Sequence, residues 1–151
     1  MESEFLPLNL PEFQFNVQSQ GQSKQIFDFV RRRFVSLTPE EWVRQHFVRF
    51  MVDYHSYPLS LFAIEKQVVV NGLKQRADVV VYNKAGKPWL IVECKAPTVK
   101  LDEDTLHQVV RYNLTLNVPY LVLTNGIEHF CLEYQNEAFV FLPELPSFPN
   151  L

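Results

Sequence analysis

The sequence predicts an α/β fold, a mixed α+β sheet flanked by helices with a restriction-endonuclease-like core in the order αβββαβ. Two segments carry apolar residues at helical spacing, and three strand-like segments joined by turn signals lie between them. Further strand-like segments follow the second helix. A chain of 151 residues with 47% hydrophobic content can bury one core, so we expect a single domain.

Composition sets the expected boundaries and compartment. We expect an irregular polar arm at residues 1–25, the folded domain at 26–142 and a loose proline-containing tail at 143–151. No run approaches the roughly 18 apolar residues of a membrane span, and no basic leader with a hydrophobic core is present, so we expect a cytoplasmic protein. Cys94 and Cys131 have no CxxC partner, which favours two buried thiols.

The first helix begins after Thr38, because Thr-Pro-Glu-Glu places an N-cap residue before a proline at the first helical position. Val43, Phe47 and Met51 then repeat at helical spacing and should face the core. Glu41 has two candidate roles that the sequence leaves open. It can close a capping box with Thr38, or its carboxylate can lean over an acidic site nearby.

Three strand-like segments follow the first helix: 61–70, 76–82 and 89–95. Asn71-Gly72 is a strong hairpin signal, and residues 83–87 carry turn signals. The three segments should therefore form an antiparallel meander.

The third of these segments ends in charged residues although the rest of it is apolar. Side chains alternate along a strand, so Glu93 and Lys95 point to one face and Cys94 to the other. In even register Asp78 lies opposite Glu93, with Cβ atoms roughly 4.5–5.5 Å apart, whereas an odd-length loop would turn Asp78 to the other face. Such a pair requires a cation, either a metal ion or, in a purely structural ion cluster, Lys95 alone.

The second helix begins after Asp102, which can cap it. Its apolar stripe is formed by Leu106, Val109, Val110 and Leu114. Gln108 and Tyr112 are four residues apart and share a flank. Segments 118–124, 127–134 and 138–142 follow as strands, and the crossover helix makes the first of them a parallel neighbour of 89–95.

These residues resemble a known family. Asp78 with Glu93-Cys94-Lys95 resembles the core of the PD-(D/E)xK nucleases, and Gln108 with Tyr112 is similar to the QxxxY element of their RecB-like members. More closely, residues 37–45, 76–82 and 91–97 look like the N-terminal nuclease domain of type I restriction enzyme R subunits, in a small stand-alone form. The likeness covers about residues 26–134. Ala77 replaces the proline common before the first acid, and no Walker A sequence of a motor occurs.

The resemblance implies a Mg²⁺- or Mn²⁺-dependent deoxyribonuclease, an endonuclease of a restriction-modification system. The implied catalytic residues are Asp78, Glu93, Lys95, Gln108 and Tyr112. The implied metal ligands are Asp78, Glu93, the backbone carbonyl of Cys94 and, through water, Glu41. Oxygen ligands of this kind suit a hard divalent cation.

DNA is the expected partner, with a motor or specificity subunit supplied in trans and a homodimer left open. The net charge of −3 does not indicate a nucleic-acid binder, but the arginines lie before residue 101 with one exception, Arg111. Candidate DNA contacts are Arg31, Arg33, Arg44, Arg76 and Lys100. A solvated charged face is the alternative for the arginine run at 31–33. The alternative function is an inactive or partner-dependent nuclease-fold module that binds DNA or protein.

Overall fold

The computed structural model describes residues 5, 7–70, 72–114 and 116–149, apart from the side chains at 68–70 and 73–75. The elements are β1 (Val17–Gln20), β2 (Ser23–Asp28), β3 (Arg33–Ser36), α1 (Pro39–His55), β4 (Phe62–Val70), β5 (Leu73–Tyr82), β6 (Pro88–Cys94), α2 (Glu103–Leu114), β7 (Tyr120–Thr124), β8 (His129–Gln135) and β9 (Ala138–Leu142). A short 3₁₀ turn, Leu59–Leu61, precedes β4. None of the described helices is long and apolar enough to cross a membrane.

The main sheet has the order β4-β5-β6-β7-β8-β9. Its strands pair antiparallel except β6 and β7, which run parallel because α2 carries the chain back between them. The predicted order αβββαβ, the meander and the parallel pair are therefore confirmed. Asn71 of the predicted hairpin turn lies outside the described residues, but β4 and β5 pair on either side of it.

The register that positions the acids is as predicted. The ladder between β5 and β6 ends with Val79 paired to Val92, and continuing its register by one position places Asp78 opposite Glu93. The strands slip by one residue only at the opposite end of the pair, at Tyr82. The slip at Tyr82 therefore does not turn the Asp78 side chain to the face opposite Glu93.

The two helices cover opposite faces of the main sheet. On one face α1 packs Val43 and Phe47 against the sheet, and on the other α2 packs Val109 against Ile91. Each fully buried apolar side chain of this size contributes roughly 1.5–3 kcal/mol. Because side chains alternate along β6, Glu93 lies on the same face as Ile91, the face that α2 covers.

The prediction of an irregular arm was wrong for residues 17–25. They form β1 and part of β2, which join β3 in a separate three-stranded sheet. Every side chain of β1 is exposed, so its sequence lacks the alternation that reveals a half-buried strand. Phe13 and Phe15 nevertheless anchor this N-terminal segment, because both rings pack against His46 of α1.

The apolar stripe predicted for α2 was wrong at its last position. Val109 is buried, but Leu114 is 37% exposed, and Asn113 is buried instead. The helix is therefore rotated so that a polar side chain faces the protein interior near Glu93.

Candidate active site

The carboxylate pair lies where β5 and β6 leave their shared ladder. The Cys94 backbone N–H donates to Asp78 Oδ2 at 2.8 Å, which fixes Asp78 against the end of β6. Burial, together with the charge of Asp78, raises the pKa of Glu93 to about 8. Glu93 Oε1 is buried and has no hydrogen-bond partner among the described residues. The pair therefore requires a shared proton or a cation.

A cleft of about 320 Å³ opens beside Glu93. It is lined by Arg76, Glu93, Lys95, Gln108, Val109, Tyr112 and Asn113. The structure thus places Glu93, Lys95, Gln108 and Tyr112 around one cleft, whereas Asp78 is not among the residues that line it. Tyr112 is 47% exposed, so its ring forms part of the cleft wall and not of the core.

Lys95 shares the cleft with Glu93 without making an ion pair to it in the part of the chain that the structure describes. Its charge lowers the pKa of Glu93, but the effects of burial and Asp78 are larger. Lys95 alone does not neutralise the two acids, and Arg44, whose Nη1 lies 3.7 Å from Asp78, is a second cation beside them.

The donor set fits a divalent cation of the magnesium type. No three His, Cys, Asp or Glu side chains among the described residues are grouped to hold a metal ion, so Asp78 and Glu93 would supply two ligands only. Mg²⁺ is commonly bound by one or two carboxylates and keeps several waters. The unpartnered Oε1 of Glu93 is an acceptor that such an ion would satisfy.

Glu41 is placed differently from both roles that the sequence left open. Its N–H donates to the Thr38 hydroxyl at 3.0 Å, but its carboxylate does not complete the capping box. The carboxylate accepts hydrogen bonds from Arg44 and, at 2.7 Å, from Gln45 Nε2. A carboxylate engaged in this way is unsuited to a metal. Glu40 is the acid of this helix whose pKa is raised, by burial and by the charge of Asp78.

The five basic residues predicted to contact DNA fall into two groups. Arg44 is only 5% exposed, and Arg31 is bonded to Asp28, so neither presents a free guanidinium. Arg33 and Lys100 are exposed, and the Arg76 side chain is 70% exposed at the cleft. The prediction for Arg44 does not fit its burial.

Arg44 links the first helix to the acid pair. Its Nη2 group bonds Glu41 and lies 3.2 Å from Glu65, and its Nη1 group lies 3.7 Å from Asp78. Burial opposes the charge, but hydrogen bonding to Glu41 holds the pKa of Arg44 above its ordinary value. Arg44 is therefore a permanent cation that positions these acids.

Glu65 and Asn113 were missed by the sequence analysis. Glu65 has a φ of +49° within β4, opposite Asp78 in the strand register, and its carboxylate lies 2.6 Å from Arg76. Left-handed backbone in a non-glycine residue is strained and is concentrated at functional sites. The one available signal was a polar triplet, 65–67, inside an otherwise apolar strand.

The two helices and the strand order of the mixed sheet are those of a nuclease-like α/β fold. Residues 39–146 match the family model of the type I restriction enzyme R protein N terminus, and the chain belongs to that family. No curated protein sequence matches the chain significantly.

The fold also resembles a solved structure, a fragment of a protein assigned as an HsdR subunit of a type I restriction enzyme from Vibrio vulnificus. The TM-score is 0.52 at 16% sequence identity, over 72% of this chain. The match covers 23% of the solved chain, so the present chain corresponds to about a quarter of that fragment. At this identity the likeness concerns the fold.

Proposed function

We propose that this domain is a metal-dependent DNA endonuclease of the PD-(D/E)xK type, acting in restriction-modification. The observation that carries the proposal is that Asp78 and Glu93 lie close together where the ladder between β5 and β6 ends, with Glu93 and Lys95 lining an open cleft. Glu93 Oε1, which has no hydrogen-bond partner among the described residues, supports cation binding at this carboxylate pair, as does the raised pKa of Glu93. Family membership supports DNA as the substrate.

Asp78 and Glu93 would hold Mg²⁺ or Mn²⁺ with their carboxylates, and the backbone carbonyl of Cys94 is a further candidate ligand. When bound, the ion supplies a water of lowered pKa and neutralises charge on the scissile phosphate. Arg44 and the Cys94 N–H hold the Asp78 carboxylate in place at the end of β6. The protein thus contributes fixed oxygen ligands.

The remaining residues of the cleft act on water and phosphate. Lys95 orients the attacking water and stabilises the negative charge that develops on the phosphate. Gln108 positions Lys95 or the water, and Tyr112 supports Gln108 from the next turn of α2. Arg76 extends the cleft with a positive charge for the neighbouring phosphate.

The test is cleavage of linear and circular DNA by the purified chain with Mn²⁺ or Mg²⁺. Asp78→Asn and Lys95→Ala should each lower the rate by about hundredfold or more while leaving the thermal unfolding midpoint almost unchanged. Asp104→Asn and Lys84→Ala, on exposed positions outside the cleft, are the matched controls. Full activity in both site variants would refute the assignment.

A second candidate function is a DNA-binding module that cleaves only with a partner. It is favoured by the net charge of −3, which does not indicate tight DNA binding by this chain alone. A motor or specificity subunit would then be supplied in trans, and a homodimer is a further arrangement to test. Salt-dependent DNA binding without metal, combined with no cleavage in Mn²⁺, would favour this function over an autonomous enzyme.

A further inference from the structure

Glu65 is a residue of β4 with an unusual backbone conformation, and the proposed chemistry does not use it. Its φ is +49°, whereas a strand requires a strongly negative φ. The other described non-glycine residues with a positive φ lie in turns or at the end of a helix. Such a backbone is strained in a residue with a side chain and persists only where the surrounding structure imposes it. The contacts of Glu65 should therefore show what imposes it here.

The carboxylate of Glu65 contacts both buried and exposed guanidinium groups. Its Oε1 lies 3.2 Å from Arg44 Nη2 and 3.8 Å from Arg31 Nη1. Its Oε2 lies 2.6 Å from Arg76 Nη2. The side chains of Arg44 and Arg31 are only 6% and 17% exposed, whereas that of Arg76 is 70% exposed and lines the cleft. The carboxylate therefore joins two largely buried cations to an exposed one.

Stability alone does not account for this arrangement. Arg44 is already bonded to Glu41, and Arg31 is bonded to Asp28, so neither depends on Glu65 for a counter-ion. An ion pair with an exposed arginine adds little to the free energy of unfolding, less than a left-handed backbone costs. The position of the Glu65 carboxylate is better explained by what it does for the exposed guanidinium.

The same carboxylate relates that guanidinium to the acid pair. Glu65 lies between two paired residues of the β4–β5 ladder, at the position opposite Asp78. Two carboxylates that face each other repel, and Arg44 spans them, because its Nη2 contacts Glu65 and its Nη1 lies 3.7 Å from Asp78 Oδ1. A row of alternating charges thus runs from Asp78 through Arg44 and Glu65 to Arg76. The first three members belong to the sheet and to α1, so they restrain the exposed arginine relative to Asp78.

We propose that Glu65 is a positioning residue that holds Arg76 ready to bind a DNA phosphate at a fixed place beside the acid pair. The inference rests on the proposed nuclease function and deepens it, since it identifies what places the substrate. The contact with Glu65 uses Nη2 of Arg76, and Nε and Nη1 carry further N–H groups that can donate to phosphate oxygens. A side chain already held in its bound conformation loses less conformational entropy on binding, so the restraint increases affinity.

The test compares the loss of DNA affinity caused by Arg76→Ala in two backgrounds, the wild type and Glu65→Ala. We expect this loss to be about threefold smaller in the Glu65→Ala background, because an unrestrained arginine contributes less to binding. The four proteins form a double-mutant cycle, so the general gain in affinity from removing one negative charge cancels. Fluorescence anisotropy with a labelled duplex in chelator measures the affinities, and KM for cleavage with Mn²⁺ provides a second comparison.

Two further variants separate positioning from folding. Glu65→Gly also removes the carboxylate but tolerates a positive φ, so it should unfold at a higher temperature than Glu65→Ala and reduce the effect of Arg76→Ala to the same extent. Lys100→Ala removes an exposed cation outside the ion pairs of Glu65. Its effect on DNA affinity should be the same in both backgrounds.

Equal losses from Arg76→Ala in the two backgrounds would overturn the proposal, and so would the absence of any loss in the wild type. A larger loss in the Glu65→Ala background would also overturn it, because Glu65 would then compete with the phosphate for Arg76. A wild-type chain that neither binds nor cleaves DNA would defeat the proposed function and this inference together. Cleavage by the wild type, combined with equal losses in the cycle, would defeat the inference alone.

Discussion

Charged side chains are concentrated at the candidate site, although most of the surrounding sheet is apolar. Arg44 shows how this charge is accommodated, because one buried guanidinium contacts Glu41, Glu65 and Asp78. The arrangement could not be predicted from the sequence, where Arg44 was expected to face DNA. Side-chain direction on a helix depends on which neighbours it meets, and Glu65 was not recognised as one.

The first residue-scale prediction concerns Arg44. Arg44→Leu should lower the free energy of unfolding by about 3–5 kcal/mol, because it removes the buried cation shared by Glu41, Glu65 and Asp78. Glu41 then retains only Arg31, at 3.5 Å. Urea denaturation followed by circular dichroism measures the change. Arg111→Leu, at an exposed position of α2, should stay within about 0.5 kcal/mol of the wild type. Equal effects of the two variants would contradict the assigned role.

A second residue-scale prediction concerns Arg76, which Glu65 holds at the cleft by an ion pair of 2.6 Å. If its exposed guanidinium contacts one DNA phosphate, Arg76→Ala should reduce the slope of log affinity against log salt by about one. Fluorescence anisotropy with labelled DNA in chelator gives this slope. Lys84→Ala, on the turn at the far end of β5, should leave it unchanged. An unaltered slope in Arg76→Ala would remove Arg76 from the interface.

Among the elements, the turn between β7 and β8 holds the N-terminal segment through backbone and side-chain hydrogen bonds. Asn9 N–H donates to the Gly126 carbonyl at 2.8 Å, and Asn9 Nδ2 donates to the Ile127 carbonyl at 3.2 Å. This attachment was not predictable, because the arm carries no periodic pattern. The helix starts were predictable, since Thr38 and Asp102 accept the backbone N–H groups that capping rules require.

Gly126 provides an element-scale prediction. A Cβ there would lie 2.8 Å from Leu8 and 3.1 Å from Val43, and φ is +87°. Gly86 has a similar φ of +80° with open space around it, so it is a matched control for backbone strain. Gly126→Ala should lower the unfolding temperature clearly more than Gly86→Ala does. Equal shifts would show that the N-terminal segment does not pack on this turn in solution.

His129 makes the same attachment dependent on pH. Its Nε2–H donates to the Asn9 carbonyl at 3.0 Å, so Nδ1 accepts from the Thr124 hydroxyl at 2.7 Å and the ring is neutral. Burial lowers the pKa of His129 below its ordinary 6.5. Below about pH 6.5 the unfolded chain binds a proton at His129 more readily than the folded chain does. The contribution of the neutral His129 ring to the free energy of unfolding is therefore present above the unfolded pKa and is lost as the pH falls toward the folded pKa.

Thermal unfolding between pH 5 and 8 tests the histidine. His129→Gln should reduce the loss of stability at acidic pH, although buried His46, whose pKa is also lowered, will retain part of it. His107→Gln, on an exposed face of α2, should reproduce the wild-type profile. A His129→Gln profile parallel to the wild type would contradict the neutral, buried ring.

At the scale of the molecule, topology was more predictable than side-chain placement. Hairpin signals, helical periods and the crossover rule determined the strand order and the opposition of Asp78 and Glu93. The strained backbone of Glu65 and the burial of Asn113 were not accessible. Both depend on tertiary contacts that override local propensity. Sequence patterns reveal local propensity but not those contacts.

The parallel pairing of β6 with β7 has a kinetic consequence. Antiparallel neighbours can pair through short turns. In contrast, β6 and β7 can pair only after the long connection that contains α2 has closed into a loop, and closing a longer loop costs more conformational entropy. Asn113 belongs to that crossover and the acids precede it, so the cleft should be assembled in a late step of folding. Time-resolved Mn²⁺ capture during refolding would then lag behind the formation of the β4–β6 meander.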